Sequence, residues 1–110
     1  MTIVKIDALG ISDWETFHDV FSAAFGFPEF YGRNMDAWID CMTNLDDPTD
    51  GMTKVHCEPG SVLVLQLEHA KEFAQRCPEQ YAAVVECTAS VNWRRIETGE
   101  APVLVLAFHM

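Results

Sequence analysis

Two apolar runs decide the fold: Ser61-Val62-Leu63-Val64-Leu65-Gln66-Leu67 and Pro102-Val103-Leu104-Val105-Leu106-Ala107-Phe108. Neither alternates apolar with polar residues. Unbroken runs of this length are the pattern of strands covered on both faces, and parallel sheets supply that setting. Two helical segments lie between the runs. Glu68–Arg76 is short and polar. A longer helix begins at Pro78, well placed as a first-turn proline, and runs to about Thr98, where Gly99 stops it. Tyr81, Val84, Val85, Thr88, Asn92 and Ile96 are expected to form its inner stripe.

Upstream, residues 2–7 mix β-branched side chains with Lys5 and Asp7 and are expected to form a first strand. Ser12-Asp13-Trp14-Glu15 fits a capping box, with Ser12 as N-cap and Glu15 as the residue reaching back. Trp14, Phe17, His18, Phe21, Ala24 and Phe25 then recur at helical spacing, and Gly26 and Pro28 end the helix, which spans about 13–25. An aromatic loop, 26–33, leads into a second helix, 34–45, N-capped by Asn34. Met35, Trp38, Met42 and Leu45 share its core side. Asp36 and Asp40, four residues apart, stack on another face, with Thr43 between them in helical angle and Ile39 at the border. The acidic, turn-rich connection 46–60 is expected to be a loop rather than an edge strand at Met52–Cys57.

The order strand–helix–helix–loop–strand–helix–helix–strand predicts an α/β fold, a small three-stranded parallel β-sheet packed with about four helices. Four helices cannot easily cover both sides of three strands in so short a chain. They are expected mostly on one face, with the first two packed on each other. A chain of 110 residues that is 49% hydrophobic is expected to be a single domain, 1–110, with a true core.

The formal net charge is −10 and is unevenly placed. Residues 1–50 hold ten acidic and two basic side chains, and residues 51–110 hold seven and five. Such a field repels nucleic acid and draws basic partners. On charge alone, simple solubility is the favoured reading. Asp36 alone is explained by a helix N-terminus, where the macrodipole favours a carboxylate, but Asp40 lies too deep for that. A pair of like charges at this spacing costs a helix roughly 0.2–0.5 kcal/mol, so something other than helix stability favours it.

Other chemistry is thinly supported. His18, His56, His69, His109 and the four cysteines show no metal-ligand spacing, so no metal and no cofactor are expected. Cys41 falls mid-helix on the core side, as a buried small residue does. There is no G-x-S-x-G elbow and no phosphate-cradling glycine loop, and an enzyme is not expected. No signal peptide and no membrane-spanning run are seen, and the spread cysteines suit reduced thiols, so a cytoplasmic location is expected. Arg94-Arg95 reads as a solvated helix end beside the C-terminal dipole. Arg33 reads as an exposed loop charge able to pair with a nearby acid. Phe30 is either a plug or an outward contact, and Tyr31 a core ring with a wet hydroxyl.

The stretch Pro28-Glu29-Phe30-Tyr31-Gly32-Arg33-Asn34-Met35-Asp36-Ala37-Trp38-Ile39-Asp40-Cys41-Met42 resembles the barstar family of intracellular ribonuclease inhibitors. It follows the family pattern P-E-aromatic-Y-G-x-N-hydrophobic-D-A-x-x-D-C-hydrophobic. The resemblance implies that the loop and second helix plug a ribonuclease active site, with carboxylates standing in for substrate phosphate. It implies loop-side partner contacts at Phe30, Tyr31 and Asn34. It implies helix-face contacts at Asp36, Ile39, Asp40 and Thr43, with Asp40 central. The partner expected is a basic protein, a ribonuclease, with no direct nucleic-acid or membrane binding. Three features depart from the family's inhibitor prototype: Ile39 stands where it carries Trp, the late part of the last helix is basic where it is acidic, and 46–60 is longer. They keep open an alternative, a barstar-fold interaction module without ribonuclease-inhibitor activity.

Overall fold

The computed structural model describes residues 1–110. Its two apolar runs become neighbouring parallel strands. The elements are β1 (Thr2–Asp7), α1 (Trp14–Phe25), α2 (Met35–Thr43), β2 (Leu63–Glu68), α3 (Ala70–Arg76), α4 (Pro78–Glu97) and β3 (Leu104–His109), with a single 3₁₀ turn at Ala8–Gly10. The sheet runs β1-β2-β3, every pair parallel, in a register from Thr2↔Leu63↔Leu104 to Asp7↔Glu68↔His109. The chain is thus α/β, a three-stranded parallel sheet with four α-helices.

Burial within the strands departs from the expectation of two covered faces. Along β2, Leu63, Leu65 and Leu67 are fully buried while Val64, Gln66 and Glu68 are half-buried. Registered neighbours in a parallel sheet share a face, so Ile6 and Leu104 join the leucines inside, and Ile3 and Val105, both exposed, lie outside with Val64. One face carries the core, and the apolar residues of the other make a half-open layer. Each leucine removed from water on the inner face contributes roughly 1.5–3 kcal/mol.

The helices follow their punctuation, with local shifts. The N-cap of α1 is Asp13, not Ser12. Its carboxylate accepts from the Thr16 backbone N–H at 2.8 Å, and the Thr16 hydroxyl takes the Ser12 and Asp13 N–H groups at 2.9 and 3.1 Å. Thr16 does at short range what Glu15 was expected to do. Glu68 closes β2 rather than opening α3. Leu45 is buried beyond the end of α2. Residues 46–60 form no strand and are fastened by Lys54 N–H to Phe25 C=O and Cys57 N–H to Leu45 C=O.

Phe17, Phe21, Phe25, Trp38 and Phe73 fill the core, with the Phe21 and Trp38 rings meeting edge to face at 5.7 Å. Through this ring contact α1 and α2 meet, while α2 packs more extensively along α4. Trp14, Ala24 and Met35 reach only the half-buried margin. The buried stripe of α4 is Gln80, Val84, Thr88, Val91 and Arg95; it keeps Val84 and Thr88 of the expected one, Tyr81 and Asn92 are half-buried at its border, and Val85 (39%) and Ile96 (45%) are exposed.

Arg95 is therefore no solvated helix end. It is 4% exposed, and its guanidinium donates to Thr43 C=O at 2.8 Å, to both Asp46 oxygens at 3.1 and 2.9 Å, and to Ala101 C=O at 2.7 Å. Asn92 adds a second tie. Its amide oxygen accepts the Val103 and Leu104 N–H groups at 2.9 and 3.0 Å, and its Nδ2 donates to Leu104 C=O at 2.7 Å. Together they set the end of α2 and the start of β3 against α4.

Arg95→Ala is expected to cost about 3 kcal/mol or more, because it leaves Asp46 without its counter-ion and two carbonyls without donors. Urea unfolding at constant m-value measures this. A loss under about 1 kcal/mol would show the guanidinium to be dispensable.

Candidate functional site

The site grows from the loop between α1 and α2. Gly26 ends α1 with φ of 70°, and a Cβ there would stand 2.7 Å from the Lys54 Cβ, so glycine both makes the turn and admits the 46–60 segment. Beyond it, Phe27 stacks on Phe25 at 5.9 Å and packs against Tyr31 at 4.6 Å, so these rings line the inside of the loop. A turn closed by Tyr31 N–H on Pro28 C=O, at 2.9 Å, leaves Glu29 and Phe30 at its corner. Phe30 is thereby thrust outward and is 76% exposed. Phe30 therefore does not plug the loop onto the core.

Tyr31 is half-buried, but its hydroxyl is not wet. It lies 2.6 Å from Nδ1 of the buried His18. Burial pushes the Tyr31 phenol well above its ordinary range, and burial, with a further push from Arg33, lowers the His18 pKa below 6.5. Both groups are neutral near pH 7. Arg33 takes a left-handed φ of 53°, which costs an L-residue energy. Its guanidinium donates to Glu15 C=O and to the Asp19 carboxylate, each at 2.9 Å, and these bonds hold the strained corner. Asn34 is the N-cap as expected, accepting from Ala37 N–H at 2.8 Å, while its Nδ2 donates to Gly32 C=O at 3.3 Å.

From this cap α2 presents Asp36 and Asp40 to solvent, with Ile39 and Thr43 half-buried beside them. The Thr43 hydroxyl donates to Ile39 C=O at 2.6 Å. Phe30 and Asp40 line one shallow hollow of about 200 Å³ with Tyr31, Gly32, Ala37, Cys41 and Met52. On the other flank, Ile39 lines a cleft of about 550 Å³ with Ala89, Ser90, Trp93, Arg94 and Glu97 of α4. Loop, acidic face and α4 are thus joined into one surface. Tyr31 and Asn34 are turned largely to internal bonds within it.

Two features of the surface were not foreseen. Trp93 is 62% exposed, and Arg94 donates to the Asp40 carboxylate at 2.6 Å rather than standing in solvent. Ala89 and Trp93 are one turn apart, so a small residue beside an exposed ring was a legible sign of a cleft. The Arg94–Asp40 pair joins residues 54 apart, and no local pattern announces it. Cys41, at the base of the hollow, is pushed up to about 11, first by burial and then by Asp40 and Asp50, so it is a protonated, weakly nucleophilic thiol. No helix is long and apolar enough to cross a membrane.

Comparison with known proteins places the chain in a family. Residues 1–107 match the family model Barstar (barnase inhibitor). A 47-residue stretch is 38% identical to "Putative ribonuclease inhibitor YrdF" of Bacillus subtilis (strain 168), covering 43% of this chain and 52% of that one. The chain spans about half the length of this curated relative.

The burial of His18 is expected to make stability depend on pH. A histidine with a depressed folded pKa binds protons more readily when unfolded, so its contribution is complete above the ordinary value of 6.5 and is lost as pH falls below it. Urea midpoints should drop from pH 7.5 to 5.5, and His18→Phe should flatten that part of the profile. An unchanged slope in the variant would clear His18 of the effect.

Proposed function

The chain belongs to the Barstar family, and we propose that it inhibits a basic ribonuclease by covering that enzyme's phosphate-binding active site. The loop supplies Phe30, Tyr31 and Asn34, and α2 supplies Asp36, Ile39, Asp40 and Thr43. Asp40 is the central anion, taking the place of an RNA phosphate among the enzyme's cations. Phe30 is a preformed apolar anchor that needs no rearrangement to be buried. Tyr31 braces the loop from within through His18 and meets the partner at its ring edge. No cofactor and no metal take part, and no direct contact with nucleic acid or membrane is required. The setting is the cytoplasm, where the four free cysteines stay reduced.

The observation that carries this reading is the exposed Phe30 sharing a hollow with Asp40, one turn from Asp36, on a chain of net charge −10. The family match and the inhibitor naming of the Bacillus relative support it. A second reading has specific support. Ile39 buries less surface than the tryptophan of the family's inhibitor prototype, and Arg94 neutralises part of the acidic face. Both suit an interaction module of this fold that binds a basic protein other than a ribonuclease.

Titration against a panel of basic ribonucleases, read as inhibition of RNA cleavage, separates the two. Under the first reading at least one enzyme is inhibited, and Asp40→Ala weakens binding by at least about 2 kcal/mol, roughly thirtyfold. Glu58→Ala, an exposed acid on the 46–60 segment, stays within about 0.5 kcal/mol. Asp13 would be a poor control, since its carboxylate caps α1. Association should slow as salt rises. No inhibition across the panel, or equal effects of Asp40→Ala and Glu58→Ala, would refute the inhibitor reading.

A further inference from the structure

Asp40 is not free in the unbound chain. Arg94 Nη1 lies 2.6 Å from its Oδ1, and both side chains are about half exposed, at 49% and 58%. The contact is one nitrogen to one oxygen. It lacks the two parallel bonds of a guanidinium–carboxylate fork and is open to water, so it is readily exchanged. Arg94 also has a second acid within reach. Glu97 is three residues further along α4, a spacing at which side chains on one helix meet. Both side chains line the 550 Å³ cleft, whose lining includes the small residues Ala89 and Ser90, so a long side chain has room to turn there.

We propose that Arg94 is a specificity-determining residue that holds Asp40 in the free chain and passes to Glu97 when a partner's cation takes Asp40. This rests on the reading of Asp40 as the anion presented to the partner. It adds a condition on that partner. The approaching surface must displace an internal cation, so a weakly basic protein meets Asp36 with Asp40 already answered, while a dense cationic cluster draws Arg94 away. Arg94 thus screens the face against incidental basic surfaces, and Glu97 keeps the released guanidinium paired as the interface dries.

Binding of small bacterial ribonucleases of high isoelectric point, followed by stopped-flow association and equilibrium titration at low and high salt, tests this. Arg94→Gln is expected to tighten binding about two- to fivefold, mostly through faster association, which is the range an exposed ion pair supplies. Glu97→Gln is expected to weaken binding by a similar factor in the parent chain and to have much less effect when Arg94→Gln is present. Simple long-range electrostatics would instead make the two changes additive. All of these side chains lie on the surface, and thermal melts establish that the variants fold alike. If Arg94→Gln weakens binding or leaves it unchanged, or the two effects add, while Asp40→Asn abolishes binding, the exchange is refuted and the inhibitor reading stands. If Asp40→Asn also has no effect, or no ribonuclease binds, the inhibitor reading itself is refuted and the exchange falls with it.

Discussion

A buried guanidinium holds the parts of this protein in register. Arg95 touches the last carbonyl of α2, the acid that follows it, and the chain entering β3, all from the inner stripe of α4. A charge at 4% exposure is costly unless its donors are used, and here four hydrogen bonds, two of them to the Asp46 carboxylate, use them. The direction of α2 follows from this. Its C-terminus is tied by Arg95 and Trp38 is buried against Phe21, so the acidic face has little freedom to turn. Orientation of that kind suits a helix whose carboxylates must arrive at fixed points on another molecule.

The loop before α2 is built on the same principle at smaller scale. Phe27 and Tyr31 pack inward, and the two-residue corner between Pro28 and Tyr31 leaves Phe30 outside. Arg33 sits in a strained left-handed conformation and is held by α1 through Glu15 and Asp19. One core tension remains. Trp38, the largest buried side chain, leaves its indole N–H without a partner, at a cost of about 1–3 kcal/mol offset by its packing. The tryptophan that the sequence places next to Ile39 is thus wholly committed to the interior.

Much of this was legible because it rests on the chemistry of single residues. Gly26, Asn34 and Pro78 each do the one thing their structure favours, and the succession of elements along the chain followed from apolar runs separated by helical periods. The acidic face was legible because Asp36 and Asp40 are neighbours by helix geometry alone. The errors have physical reasons too. The stripe of α4 was drawn through Val85 and Ile96 because aliphatic side chains weigh towards burial. The true stripe includes Arg95, whose burial depends on acceptors contributed by residues 43, 46 and 101. The cap of α1 turned on whether Thr16 or Glu15 reaches back, a matter of side-chain length. Arg94 was misjudged because its partner is 54 residues away, across a packing of α2 on α4 that no local period encodes.

The sheet's register also governs when the molecule can exist at all. Thr2 pairs with Leu63 and Leu63 with Leu104, so β1 has no neighbour until β2 is made, and β2 gains its second neighbour only with β3. Pairings this distant in sequence make loop closure the slow event of folding. During synthesis, α1 and α2 would emerge with their apolar stripes uncovered, awaiting β2. Arg95 and Asn92, which fix α4 against α2 and β3, arrive later still. The acidic surface therefore takes its final orientation only once α4 has docked against α2 and β3.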